Sequence, residues 1–201
     1  MSQTTKDLSY KMRWLRWRAR LSIPALLTRF DEQKVVSLVT AVNGGMVILT
    51  LGVFAWLTNL PLLFPALGPS AFILFSSPLS PAAAPRSVVL AHLTCLICGY
   101  IVWLLMSFAV GEPVSMEAGG WPVFTSASLA LVLGCVLMIR LSYSHPPACA
   151  SALVLAMGGA PHVSDVLLMS LAIVWLTAQA VGMNRLAGLP VPLWSPRNLD
   201  K

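Results

Sequence analysis

The side chains able to do chemistry in this 201-residue sequence are few, and most lie in or beside one short pattern that occurs twice. The copies are Phe64-Pro-Ala-Leu-Gly-Pro-Ser-Ala-Phe-Ile-Leu74 and His145-Pro-Pro-Ala-Cys-Ala-Ser-Ala-Leu-Val-Leu155. Aligned without gaps, they share Pro65 with Pro146, Ser70-Ala71 with Ser151-Ala152, and Leu74 with Leu155. Each copy is followed by an Ala-Pro-basic triplet, Ala84-Pro85-Arg86 and Ala160-Pro161-His162, that leads into a long apolar stretch.

Proline lacks a backbone N–H and fixes φ, so it suits the first turn of a helix and not its interior. Pro65 and Pro69, and Pro146 and Pro147, therefore mark places where a helix starts afresh. A helix start carries unpaired N–H groups and partial positive charge, so two starts converging inside a membrane would form a site for a small anion. Gly68 permits close backbone approach, and the Ser70 and Ser151 hydroxyls can donate to the anion. The competing reading is a pair of kinks packed by small residues, which are also common at helix contacts in lipid. His145 could carry a proton or add switchable charge; it could equally be a neutral imidazole that caps the break. Arg86 is either a topology anchor or a gate that attracts anions. His92 lies within a span and Asn43-Gly44-Gly45 interrupts another, and both are expected to face the bundle interior because polar atoms in lipid need partners. Tyr143 and Ser144 could line the same cavity, although Tyr143 also suits a membrane interface.

No enzyme chemistry is apparent. Of His92, His145 and His162, only the last has an acidic neighbour, Asp165, and no nucleophile and base stand together in the sequence. Cys95 and Cys98 lie one turn apart within an apolar span, which reads as small buried side chains, as do Cys135 and Cys149. No catalytic residue, cofactor or metal is expected.

The elements that hold these residues must be membrane helices. With 57% hydrophobic and 10% charged residues, the chain has too little polar surface for a water-soluble globule. Four stretches, near 35–58, 87–110, 122–141 and 163–186, are long enough to cross a hydrocarbon core. The net charge of +6 does not indicate nucleic acid, because Lys6, Lys11, Arg13, Arg16, Arg18, Arg20, Arg29 and Lys34 all precede the first span. That placement puts the N-terminus in the cytoplasm. Within it, the arginines interleaved with Trp14 and Trp17 suit an interfacial helix on anionic lipid, with an unstructured basic tail as the alternative.

Two topologies are open. If the short repeated segments are re-entrant, the chain crosses four times; if each crosses as a broken helix, it crosses six times. Six crossings gather Arg86, Arg140, Arg185, Arg197 and Lys201 on the cytoplasmic side and put Glu112, Glu117 and Asp165 outside, which the positive-inside bias favours. Each short segment must then be partly extended to reach across. The expected fold is an all-α membrane bundle of four long transmembrane helices plus two short broken segments, arranged as a 3+3 inverted repeat. Its parts are a basic segment 1–34, a first repeat 35–110, a second repeat 121–187 and a Pro-rich cytoplasmic tail 188–201.

The run Ser144-His145-Pro146-Pro147-Ala148, with Gly68-Pro-Ser-Ala71 and Ser77-Pro-Leu-Ser-Pro-Ala-Ala-Ala-Pro-Arg86, resembles the HPP family of integral membrane proteins. The resemblance covers about 35–186. It implies a small multi-span protein, usually described with four transmembrane helices, for which transport is suspected; chloroplast and cyanobacterial relatives are linked to nitrite. The family motif falls on His145, Pro146 and Pro147, its Gly-x-Ser-Ala element on Gly68, Ser70 and Ala71, and its Pro-Arg element on Pro85 and Arg86. Ser87 stands where the family more often has Asn, and Cys149 where it more often has Gly, which bears on a nitrite assignment more than on the fold. The expectation is a transporter or channel for a small, nitrite-like anion bound by Gly68, Ser70, Arg86, His145, Pro146, Pro147 and Ser151. It would lie in a bacterial inner membrane, as a homo-oligomer if one copy is too small to be a rigid frame. A non-catalytic membrane scaffold or subunit is the alternative.

Overall fold

The computed structural model describes residues 22–160 and 162–196, so the expected interfacial helix, Pro161, Arg197 and Lys201 lie outside the described residues. Seven α-helices are described. The short α1, Ile23–Leu27, precedes α2, Glu32–Thr58. The Lys34 N–H donates to the Asp31 carboxylate at 3.1 Å. That cap starts α2 ahead of its apolar stretch. The helix ends at Asn59, in the left-handed region at φ 53°. It runs unbroken through Asn43-Gly44-Gly45, which corrects the expected interruption. In lipid no water competes for the backbone, so glycine need not break a helix.

The short α3, Leu67–Ser76, and a 3-10 turn at Pro81–Ala83 lead to α4, Pro85–Val110, which begins on its proline. The second half repeats the order: α5, Trp121–Arg140; the short α6, Ala148–Ala156; and α7, Val163–Leu186. Four helices, α2, α4, α5 and α7, are long and apolar enough to cross a membrane. Phe108, Trp56 and Ile139 are 88%, 76% and 72% exposed, an outward display of large apolar side chains that lipid tolerates and water does not.

The short helices, about 15 and 13 Å long, cannot cross such a core alone. Their flanking segments supply the rest. Leu63 lies beside Gly52 in the later part of α2, and Phe75 beside Gly44. Residues Ser76 to Ser80 then share a cavity wall with Glu32 and Val36 at the start of α2. The chain between α2 and α4 thus travels the height of the bundle. In the second half His145 touches Ala82 at that same end, while Ala156 accepts from Ser126 near the start of α5 and Gly158 abuts Val114 beyond the end of α4. The two short helices therefore run in opposite directions. Each packs against the first helix of its own half and the third helix of the other, α3 on α2 and α7, α6 on α5 and α4. Exchanging the halves leaves this scheme unchanged.

Arg29, Lys34, Arg86, Arg140 and Arg185 belong to the end where α2 and α4 begin, and Glu112, Glu117 and Asp165 to the opposite end. The segment after α7 packs at the basic end. The Arg86 N–H donates to the Trp194 carbonyl at 3.0 Å, the Ile23 N–H to Ala187 at 2.9 Å, and Val191 is buried. Its described part is therefore docked on the bundle.

Candidate functional site

Both short helices begin at proline-rich breaks, as their sequences dictate. Pro69 occupies the first turn of α3, where its missing N–H is not needed, and Pro146-Pro147 immediately precede α6. The first N–H groups of α6 are nevertheless engaged. Ala148, Cys149 and Ala150 donate to the carbonyls of His145, Pro146 and Pro147 at 3.0 to 3.1 Å, in a tight opening turn. In α3, Leu67 donates to Phe64 and Ser70 to Ala66. The start of α6 is thus closed by the chain's own carbonyls, and at α3 the N–H groups of Leu67 and Ser70 are taken in the same way.

Between the two starts stands a side chain. His92, on α4, places Nε2 2.9 Å from Ser70 Oγ of α3 and Nδ1 2.8 Å from Ser151 Oγ of α6. His145 continues the chain, with Nε2 3.0 Å from Ser70 Oγ and Nδ1 2.8 Å from the Ala82 carbonyl. Ser70 Oγ also lies 2.8 Å from the Ala66 carbonyl one turn back. The two rings are tilted, with centroids 5.3 Å apart. Ser70, His92, His145 and Ser151 are all 0% exposed. A run of polar groups this deep in an apolar bundle requires mutual hydrogen bonding, since none can be satisfied by lipid.

The packing that fixes this cluster differs on its two sides. On the α6 side, Ala91, Cys95 and Gly99 of α4 face Ala148, Ala152 and Ala156 at matched four-residue spacing, with Ala130, Gly134 and Met138 of α5 completing the seam. A Cβ on Gly99 would sit 2.5 Å from the Ala152 carbonyl oxygen, so only glycine admits this approach. On the α3 side the neighbours are large: Val47, Leu51, Leu74, Phe75, Ile173 and Leu176. Asn184 of α7 donates to the Leu74 carbonyl at 2.8 Å.

Of the residues singled out in the sequence, Ser70, Ser151 and His145 meet here, and Pro147 is buried beside them. Gly68 and Pro146 are exposed, and a Cβ on Gly68 would touch nothing, so close approach at Gly68 is not what holds the site. Arg86 is half-buried at the start of α4, its backbone on the C-terminal segment. Tyr143 reaches Thr94 Oγ1 at 2.9 Å, and Ser144 is exposed. His145 does not cap α6 with its side chain. His92 is the residue whose role the sequence left open; its signal was a histidine inside an apolar span. Sequence separation also hid the pairing of hydroxyls with imidazoles that the fold creates.

The chain matches the family described as "HPP, transmembrane region" over residues 31–192. It belongs to the HPP family. No curated protein and no solved structure matches it. In this HPP protein the name-giving motif therefore has a definite local meaning. His145 ties the start of α6 to both the first-half serine and the connection before α4, while Pro146 and Pro147 set the break that brings it there. Family membership and four apolar spanning helices make it an integral membrane protein, and both are consistent with a membrane transporter.

Proposed function

We propose that this HPP protein is a transporter or channel for a small anion, with nitrite the first candidate, and that the conformation described is its closed one. The observation that carries the reading is the buried bridge Ser70–His92–Ser151, where both repeated segments converge on one polar point deep in the bundle. Opening would part the two short helices, exchange ring contacts for an anion held by the two hydroxyls, and free N–H groups of the helix starts. Gly68, Arg86 and the prolines at Pro146 and Pro147 would shape the approach, and His145 would couple proton movement to the anion. A 3+3 inverted repeat rocking about this point supplies alternating access, as the exchange-symmetric packing supports. Cytoplasmic termini in a bacterial inner membrane, and assembly as a homo-oligomer, belong to the same proposal.

A Ser–His contact is also the geometry of an activated nucleophile. Here Ser70 Oγ is shared by two imidazoles and a carbonyl and has no exposure, which favours the transport reading over a hydrolase. A scaffold could use the bridge for packing, but it gives no reason for two repeated broken segments to converge on it.

Uptake of nitrite, nitrate, formate and chloride into liposomes, with and without a pH gradient, tests the proposal. Saturable uptake of one anion that is lost in His92→Phe supports it. Absence of uptake for all four, or covalent labelling of Ser70 by a fluorophosphonate, would sink it.

A further inference from the structure

We infer that the Ser151–His92–Ser70–His145 chain is a one-proton store in which the Ser70 hydroxyl is the switch. Its bearing on transport rests on the proton-coupled reading above, but the proton count follows from geometry alone.

Five short contacts link the cluster: Ser151 to His92, His92 to Ser70, Ser70 to His145, His145 to Ala82, and Ser70 to Ala66. Each requires one hydrogen between its heavy atoms. The neutral residues own four, one per hydroxyl and one per imidazole.

A single carbonyl fixes where they go. The Ala82 oxygen can only accept, so His145 Nδ1 must carry a hydrogen, and in the neutral ring Nε2 is then an acceptor. Ser70 therefore donates to His145 Nε2 and accepts from His92 Nε2–H. His92 Nδ1, left as an acceptor, takes the Ser151 hydrogen. In this state the Ala66 carbonyl keeps only its bond from the Ser70 N–H, at 3.3 Å.

Add one proton and the fifth contact is made. It enters at His145 Nε2, which now donates to Ser70. The Ser70 hydroxyl swings to the Ala66 carbonyl and accepts two N–H bonds on its two lone pairs. No bond of His92 or Ser151 changes direction. The two inventories thus differ by one proton and one hydroxyl rotation, without movement of a heavy atom.

The surroundings leave these two rings as the groups that exchange it. Their hydrogen bonds go to Ser151, to Ser70 twice and to Ala82. The other titratable groups on the packed elements are the thiols Cys95 and Cys98 on α4, Cys135 on α5 and Cys149 on α6, with the phenols of Tyr100 on α4 and of Tyr143, which bonds Thr94. Arg86, Arg140, Asp165 and Arg185 stand at the ends of α4, α5 and α7, and Glu32 and Lys34 at the start of α2.

The test is nitrogen NMR of histidine-labelled full-length protein in lipid, titrated from about pH 9 down to about pH 3, because burial disfavours the charged form of an imidazole. His145 is expected to pass from an Nδ1–H neutral ring to a doubly protonated one in a single step. His92 should stay neutral with its hydrogen on Nε2 throughout. In Ser70→Ala, His92 should lose that fixed tautomer, and Ser70→Thr should restore it. A doubly protonated His92, an unchanging His145, or an unaltered His92 tautomer in Ser70→Ala each overturns the inference. Should Ser70→Ala not fold, the wild-type titration decides alone. Because none of these readings uses an anion, failure here leaves the uptake experiment standing, and failure of uptake leaves this one standing.

Discussion

Helices α3 and α6 carry the same repeated pattern and sit in opposite kinds of packing. The shared residues behave alike: Ser70 and Ser151 both bond His92, and Leu74 and Leu155 are buried in one apolar cluster at 2% and 1% exposure. What surrounds them does not match. Around α3, large leucine, isoleucine and phenylalanine side chains interdigitate; around α6, alanine, cysteine and glycine let backbones touch. In lipid there is no water to drive apolar surfaces together, so stability rests on contact itself. Backbone contact has no rotamers to adjust, whereas a cluster of large side chains can repack. The α6–α4 seam is therefore the rigid member of the pair and α3 the adaptable one, so in the opening proposed above α3 is the element that would move.

The sharpest way to break this contrast is at glycine. Gly99→Val drives a branched side chain into the Ala152 carbonyl, and a loss exceeding about 4 kcal/mol, seen as failure to recover a monodisperse protein, is expected. Gly68→Ala at the start of α3 meets nothing and should stay within about 1 kcal/mol of the parent, on the stabilising side. If the two substitutions behave alike in size-exclusion and unfolding measurements, the contrast fails. Leu74→Ala opens a void in the adaptable cluster; unfolding in mild detergent should show a loss near the low end of the roughly 2–5 kcal/mol seen for such truncations, because neighbours can close in. His92→Phe keeps the ring volume but strands the Ser151 hydroxyl, a loss of about 1–3 kcal/mol in the same assay. The smallest loss is expected for Asn184→Leu, which removes one interhelical bond to Leu74 worth about 0.6 kcal/mol.

Much of the scaffold was legible because lipid imposes strong rules. Apolar length located α2, α4, α5 and α7, and α7 coincides with the expected 163–186. Boundaries shifted where a local cap outweighed hydropathy, as Asp31 does for α2 and Pro85 for α4. Prolines announced both short helices, and the aligned serines pointed to a shared place. The bridging residue was not announced: His92 sits mid-helix with no proline or glycine beside it, and its partners lie 22 and 59 residues away. Nor could spacing reveal that the N–H groups of α6 are taken up by His145, Pro146 and Pro147, since that depends on how tightly the opening turn winds.

The bond from His92 to Ser151 has a consequence for how the protein is made. Its partners are 59 residues apart in the order of synthesis. At about 5–20 residues per second, the imidazole leaves the ribosome roughly 3 to 12 s before the hydroxyl that completes it. During that interval Ser70 can already pair with Nε2 of the ring, but Nδ1 is left without its partner among apolar neighbours. An unmet hydrogen bond in lipid is costly, so the nascent first half is favoured where water can reach that nitrogen until Ser151 arrives.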